Sequence, residues 1–576
     1  MIDILTYQVP PEWREGSKIH TLYPPIPRNT KNIRFDIFNF QMLFNDEKTR
    51  ELIRTGQTIG CFYIESPGMR SLLRRLDVET FEMLTAASSV IRPGVAESGM
   101  MQEFIARHKD PSRRKYLVPE MEKHLGETYG VMIYQEDVIK VAHHIAGLTL
   151  EEADLLRRAM SGKMRSHEAM KEITDKFFVS CRAKGHSEET TKELWRQIES
   201  FAGYSFCKAH SASFALLSFQ VAYLKAHYPA EFMANVLNNG GGFYSSAVYI
   251  WEAKRMGLTI ELPSINCSNY EYIGKGKTIR IGLMAIKNLS HSSIETIVDE
   301  RKNNGKYVSL ADFLVRTKLA YEESAALIKC GAMGCFKQTR PELLRLLDIY
   351  IHRRKLLNHT VNDLFVNETF ALEEEVKTNI NFSAAEICRT EYETFNYMVT
   401  RHPLYFFKER INHSSVIKAK DKEKYRGRRV KMIGWYMSSK RIRTKKGDIM
   451  KFLSLEDLTG TFEAVIFPKV YYGCAELTMS MGPYLVEGRI DAEDSNNIIV
   501  ENLEVLLSVA IRESIQKDGR EPSRLASSDA FPTSKVKLQK DSVDHNYYGD
   551  EEKISEEDFR LVNSLGKEKL RRAYAG

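Results

Sequence analysis

Three stretches carry residue types that could do chemistry. In "FAGYSFCKAHSASFALLSFQVAYLKAHYPAEFM" (Phe201 to Met233), Cys207, Lys208, His210, Ser211 and Ser213 precede an apolar run. Within that run Phe214, Leu217, Val221 and Leu224 recur at helical spacing, which predicts a buried helix face. The residues alone admit two mechanisms. Cys207 and His210 could pair as thiolate and imidazole, although catalytic Cys and His usually meet across a fold and no nucleophile signature surrounds this Cys. The second mechanism is an anion-binding helix entrance. Ser211 and Ser213 are natural N-caps, free helix N–H groups attract anions, and Lys208 and His210 add positive charge. An ordinary capped helix would show the same spacing.

The second stretch is "LLRRAMSGKMR", where Arg157 and Arg158 stand one turn before Gly162, with Lys163 and Arg165 beyond. Adjacent helical side chains point about 100° apart, so both guanidinium groups can reach one multiply charged anion. Each fork can donate two parallel hydrogen bonds to phosphate oxygens. The same placement also suits the negative end of a helix dipole. Arg92, in "VIRPGVAESGM", precedes a Pro-Gly turn that can present N–H groups to a ligand or a neighbouring chain. "KHLGETYGVMIYQEDV", with Tyr129, Tyr134, Gln135 and Glu136, reads as helix packing around a Gly-centred bend. The third stretch, "SSKRIRTKKGD", sets Lys440, Arg441, Arg443, Lys445 and Lys446 on a strand and turn, with Trp435 and Tyr436 nearby. Cations along a backbone and aromatics for stacking are what single-strand binding requires. Lysine on an edge strand is also a common guard against sheet pairing.

The elements that must position these residues follow from period and punctuation. Residues 1–34 contain "PPEWREGSK" and "YPPIPRN", a Pro-rich segment expected to be irregular. Residues 35–235 read as mainly helical, with stops at Gly56 and Pro93-Gly94, and Thr149 three residues before Glu152 has capping-box spacing. From 236 to 340 the helices shorten; from 341 to 410 a Leu- and Arg-rich helix leads into "LLNHTVNDLFVNETFALEEE". Within 411–510 the period switches to two, with a turn at Lys446-Gly447, and the size suits a small Greek-key barrel such as an OB-fold. Residues 511–576 are polar and mixed in charge, a tail expected to be flexible.

At 576 residues the chain exceeds one core, and 43% hydrophobic content with 10% aromatics excludes wholesale disorder. A net charge of +7 permits nucleic-acid or phosphate binding without requiring it. The 8 cysteines are scattered with no CxxC pair, which argues against a zinc site and a disulfide framework. Neither a secretory signal nor a run of membrane-spanning length is read, so the expectation is a reduced, soluble, intracellular protein.

Five blocks, in order, resemble the bacterial replicative DNA polymerase III alpha subunit. They are "LIRTGQTIGCFYIESPGMRSLLRRL", "IRPGVAESGM", "ETYGVMIYQEDVIKVAHHIAGLTLEEADLLRRAMSGK", "AGYSFCKAHSASFALLSFQVAYLKAHYPAEFM" and "KRMGLTIELPSINCSNYEY". Error-prone members of the same C-family polymerases fit equally. The resemblance covers roughly residues 40 to 510. It implies a multidomain, mainly α-helical chain: fingers at 35–235, helix-hairpin-helix elements at 236–340, a helical linker at 341–410, and an OB-fold at 411–510. It further implies that Arg157, Arg158, Lys208 and His210 contact the triphosphate of an incoming dNTP, with Arg92 a weaker carry-over. The implied partners are primer-template and single-stranded DNA in a bacterial cytoplasm, near the nucleoid.

Departures from the family pattern matter as much. The family's palm holds two Mg2+ ions with aspartates, two of them in an Asp-x-Asp pair. No Asp-x-Asp occurs in this sequence, and Asp36 in "RFDIFNF" sits too late in the match to replace the third. No catalytic residue and no metal ligand is therefore assigned. The reading is a C-terminal half without the phosphoesterase-like domain, whose palm carboxylates and Mg2+ belong to another chain. "AIKNLSHSSI" lacks the hairpin glycines that let backbone approach phosphate, whereas "IKCGAMGCF" keeps one. "TVNDLF" ends in Leu364 and Phe365, which could fill a sliding-clamp pocket but lack the usual glutamine. The polar tail in place of a longer extension favours the shorter, error-prone type. A non-catalytic DNA- and clamp-binding accessory, or a polymerase relic, is the competing reading.

Overall fold

The computed structural model describes residues 37–91, 99–160, 167–199, 207–240, 242–356, 375–408, 411, 415–444 and 446–506. Arg92, Lys445, Leu364 and Phe365, with the Pro-rich start and the polar tail, lie outside the described residues. The fold is mostly helical and ends in a closed five-stranded barrel.

The first helical body grows from capped pieces. Glu47–Arg54 is a helix whose N-cap, Asp46, accepts a hydrogen bond from the Thr49 amide at 2.8 Å. Helix α1 (Pro67–Arg75) starts behind Ser66, whose hydroxyl accepts from Met69, with Pro67 at the first position. That pairing is favourable because proline lacks only an N–H that the helix start leaves unbonded anyway. Helix α2 (Phe81–Val90) is buried along nearly its whole length. A satellite core gathers α3 (Gln135–Lys140), α4 (Leu150–Met160) and the helices His167–Ala183 and Glu188–Glu199 around Phe177, Leu156 and Leu194. At the start of α4, Thr149 and Glu152 exchange hydrogen bonds of 3.0 and 3.2 Å, the capping box the spacing predicts.

Helix α5 (Lys208–His227) crosses the main core against α2 and is followed by Pro229–Asn239 and α6 (Ser246–Arg255). Its buried stripe differs from the predicted one. Ala215, Ser218, Phe219, Ala222 and Lys225 face inward, while Phe214 is only half-buried and Leu217 is 40% exposed. The rotation has a polar cause. Lys225 is 1% exposed and donates to the carbonyls of Gln57 and Ile59 and to the Glu252 carboxylate, at 2.7 to 2.8 Å. A fully paired cation tolerates burial, so a lysine occupies a position that hydropathy would leave in water.

A small three-stranded sheet follows: β1 (Thr259–Glu261), β2 (Ile273–Lys275) and β3 (Thr278–Arg280), in the order β1-β3-β2. Sequence periodicity does not predict it, because a three-residue strand offers one alternation at most. Helices α7 (His291–Asn304), α8 (Leu310–Thr317) and α9 (Tyr321–Lys329) match the predicted short units. In the hairpin before α7, Asn288 takes a φ of +63°, the left-handed position that a glycine would fill. Asparagine is among the few side chains that visit that region readily. Gly331 takes φ +84° directly after α9.

The barrel consists of β4 (Arg429–Arg443), β5 (Ile449–Glu456), β6 (Thr461–Ile466), β7 (Tyr484–Ile490) and β8 (Asn497–Val505). It closes in the order β4-β5-β6-β8-β7, with β6 and β8 parallel and the other neighbours antiparallel. The helix Pro468–Cys474 lies between β6 and β7. This is the five-stranded Greek-key barrel of an OB-fold. A bulge at Tyr436/Ser438 lets β4 pair with β7 through its first half and β5 through its second.

The barrel is fastened to the helical body by buried charge. Arg74 of α1 makes two hydrogen bonds, 2.9 and 3.0 Å, to Asp494 in the β7–β8 loop, and Ser71 donates to the same carboxylate. Arg70 donates to Thr461 at the start of β6. Arg255 of α6 bridges Glu252 and, at 2.7 Å, Glu456 at the end of β5.

Candidate functional site

The two predicted cation groups of the helical body meet at α3. Gln135, its first residue, accepts a hydrogen bond from Arg157 at 2.9 Å. The next residue, Glu136, accepts the backbone N–H of Lys208, at the start of α5, at 2.9 Å. Consecutive residues of one short helix thus tie α4 to α5, and the predicted triphosphate contacts Arg157 and Lys208 share one neighbourhood.

Each cation there has a carboxylate partner. Asp154 receives Arg157 at 2.8 Å and Arg158 at 2.7 Å, the i+3 and i+4 positions of one helix. Burial alone would raise the Asp154 pKa, but the two guanidinium groups outweigh it and hold the carboxyl below the usual range. Lys208 pairs with Glu127 at 2.7 Å, and its ammonium lies 5.3 Å from the Tyr134 ring centre. Lys140 reaches the same Glu127 and also Asp137. Asp137 is fully buried, and desolvation pushes its carboxyl up to about 6 despite the Ile133 and Tyr134 amides that donate to it. Arg158 stays 62% exposed and Lys208 is open along one side, so pairing orients both cations without closing them off.

The entrance of α5 differs from the sequence expectation. The N-cap is Cys207, and neither Ser211 nor Ser213 caps the helix. Ser211 is buried a turn further in and accepts from Ser89 of α2 at 2.8 Å; Ser213 donates back to the Ala209 carbonyl. The helix starts earlier than its serines because Glu136, distant in sequence, supplies an acceptor for its first N–H. His210 lies on the exposed side with its ring 4.2 Å from Phe214. Sequence reasoning names Gln135 and Glu136 only as helix-packing residues and passes over Glu127 and Asp154. Only Asp154 leaves a local signal, an acid three and four residues ahead of an Arg pair.

On the barrel, Lys440, Arg441, Arg443 and Lys446 are exposed along the β4–β5 hairpin, whose turn is made by Gly447 at φ +86°. Arg441 pairs with Lys451 and Arg443 with Ile449 in register. Trp435 is separated from this group. It packs half-buried against the cluster of Leu404, Phe406 and Ile433, about 17 Å from Lys440 along the strand. Among the described residues, no three His, Cys, Asp or Glu side chains are grouped to hold a metal ion. Nor, among them, is any helix long and apolar enough to cross a membrane.

A helical body carrying paired arginines, short hairpin-linked helices and an OB barrel are together an architecture suited to binding nucleic acid. Comparison with known proteins places it more closely. Residues 19–185 match the finger domain of the bacterial DNA polymerase III alpha subunit, and residues 257–343 match a helix-hairpin-helix motif. The chain is 32% identical to the DNA polymerase III subunit alpha of Staphylococcus aureus (strain COL) over 504 residues, covering 86% of this chain and 45% of that protein. It is 34% identical to the DNA polymerase III subunit alpha of Aquifex aeolicus over 466 residues, covering 80% of this chain and 38% of that protein. The chain is a relative of the DNA polymerase III alpha subunit and corresponds to a portion of C-terminal type, spanning less than half the length of these curated relatives.

Proposed function

We propose that this chain supplies the nucleotide- and DNA-binding portion of a C-family DNA-directed DNA polymerase in replication or translesion synthesis. Arg157, Arg158 and Lys208, with His210 and Arg92, take the triphosphate of the incoming dNTP. The β4–β5 hairpin, through Lys440, Arg441, Arg443, Lys445 and Lys446, takes the backbone of single-stranded DNA, and Trp435 is a further DNA contact along β4. The observation that carries the reading is the junction at α3, where Gln135 and Glu136 bring both finger cation groups together.

In this reading residues 35–235 are fingers, 236–340 the helix-hairpin-helix region, 341–410 a linker with Leu364 and Phe365 as a clamp peptide, and 411–510 the OB domain. The metal ions and the palm carboxylates belong to a palm-bearing partner chain. What this chain contributes is position. Asp154 gathers two guanidinium forks on one carboxylate, and in this reading phosphate oxygens take the place of Asp154.

Primer extension tests the reading. We expect extension when the chain is mixed with a palm-bearing C-family chain and none from this chain alone. Salt-sensitive DNA binding with no extension under any pairing would instead establish the non-catalytic accessory.

A further inference from the structure

The face of α5 that hydropathy predicts to be buried is only partly covered at Phe214 and Leu217, and aromatic rings gather there. Phe214 lies 5.4 Å from Phe62 and 4.8 Å from Tyr63, both edge-on, and 4.2 Å from His210. Phe62 is 45% exposed, and Ser213 and Leu217, next to Phe214 on α5, are exposed as well. Phe62 and Tyr63 come from the turn Gln57–Ile64, which is unusually well fixed for a surface segment. Buried Lys225 grips two of its carbonyls, Thr58 donates to the Ile64 carbonyl at 2.6 Å, the Gly60 amide donates to Glu65, and Ser218 donates to the Phe62 carbonyl.

Tyr63 itself sits at φ +68°, a left-handed conformation that a bulky residue avoids at a cost of about 1–2 kcal/mol. A chain holds such a residue only where its surroundings over-determine it. Here the surroundings include an ion pair buried in the core, Lys225 with Glu252. The turn holds two aromatic rings beside a third on α5, with Phe62 45% exposed.

We propose that Phe62, Tyr63 and Phe214 form a stacking platform for a nucleobase. The charge around the platform favours that occupant over an apolar protein segment. Lys208 opens the same helix six residues before Phe214, roughly 9 Å along the axis, and His210 lies between. Cations beside exposed rings fit a ligand that is anionic at one end and flat and π-rich at the other. The proposal rests on the triphosphate reading of Lys208 and Arg157. The base can come from an incoming nucleotide or from single-stranded DNA, and both present the same face.

The test uses the full chain. Phe62→Trp provides a fluorescent reporter at the platform, and Phe62→Ala removes one ring from an exposed position without disturbing the core. We expect saturable quenching of the Phe62→Trp signal by dNTP or by oligo(dT), and none by inorganic tripolyphosphate. Whichever of the two base-bearing probes quenches identifies the source. Phe62→Ala should weaken that probe's binding by about tenfold and leave tripolyphosphate affinity unchanged. Unchanged affinity for both base-bearing probes in Phe62→Ala would overturn the platform while leaving the triphosphate reading standing, provided that Arg157→Ala still weakens tripolyphosphate. Failure of tripolyphosphate and both base-bearing probes to bind would overturn both. Loss of a self-association in Phe62→Ala, with base binding unaltered, would show that a second copy covers the rings and would also overturn the platform.

Discussion

The seam between α1, α6 and the barrel and the junction between α3, α4 and α5 are built from the same materials: arginines and a lysine held by carboxylates at about the same distances. At the seam the Arg255 side chain is 9% exposed and Glu456 2%, and both belong to a chain of charge running from Lys225 through Glu252. Burial alone would raise Glu252, but Lys225 and Arg255 bring it down to about 2. At the junction Arg158, Lys208 and Glu127 are all substantially exposed, while Arg157 beside them is 19% exposed. The contrast separates two uses of charge. A buried pair cannot exchange its partner without stranding an ion in the core, so it fastens domains. An exposed pair adds little to stability and can trade its carboxylate for a ligand's phosphate. Density of charge marks both regions; the exposure of Arg158 and Lys208 against the burial of Arg255 and Glu456 tells them apart.

The largest effect should follow from breaking the seam. Glu456→Ala leaves Arg255 without its barrel partner and should cost about 3–5 kcal/mol in denaturant unfolding. A loss below about 1 kcal/mol would erase the distinction between the two regions.

A second effect at the seam depends on pH. Glu463 of β6 is buried, and desolvation pushes its carboxyl up to about 7 in spite of the Ser454 hydroxyl and the nearby Arg70 and Arg74. The folded state therefore binds a proton that the unfolded chain has released above about 4.5. The associated stability is complete below about 4.5 and is lost as pH rises through 7, a fall of up to about 3 kcal/mol. Lys422, facing the same arginines, is brought down to about 7 by burial and by Arg74. Glu463→Gln should flatten the stability profile between pH 4.5 and 7. A profile with the wild-type slope would show that the carboxyl is ionised as usual.

On the barrel, replacing Lys440, Arg441 and Arg443 together by alanine should reduce the slope of log affinity for single-stranded DNA against log salt by about 2. An unchanged slope would mean that this hairpin faces solvent only. The smallest effect is expected at the junction itself. Asp154→Asn should change unfolding free energy by less than about 1 kcal/mol, because Arg158 is 62% exposed and Arg157 keeps its hydrogen bond to Gln135. A loss as large as that of Glu456→Ala would make the junction a structural clamp like the seam.

How much of this was legible beforehand varies with the range of the interactions. The Thr149–Glu152 box, the Lys446-Gly447 turn and the period of the barrel strands are set by neighbouring residues, and the sequence predicts them. The burial of α5 was misread because Lys225 is neutralised by Glu252 and by carbonyls far upstream, which no window on α5 contains. The start of α5 was misread for the same reason: its acceptor, Glu136, lies 72 residues away. The resemblance selected Arg157, Arg158 and Lys208, but their carboxylate partners emerged only from the folded chain. Strands of three residues, as in β1 to β3, carry too little pattern to be found at all.

The central claim is that the exposed junction, and not the buried seam, grips the triphosphate. The most direct measurement is the dNTP dependence of primer extension by the reconstituted pair, comparing the wild-type chain with Arg157→Ala/Arg158→Ala. The account predicts at least a tenfold rise in KM for dNTP with an unfolding free energy within about 1 kcal/mol of wild type. An unchanged KM in a folded double variant would contradict it.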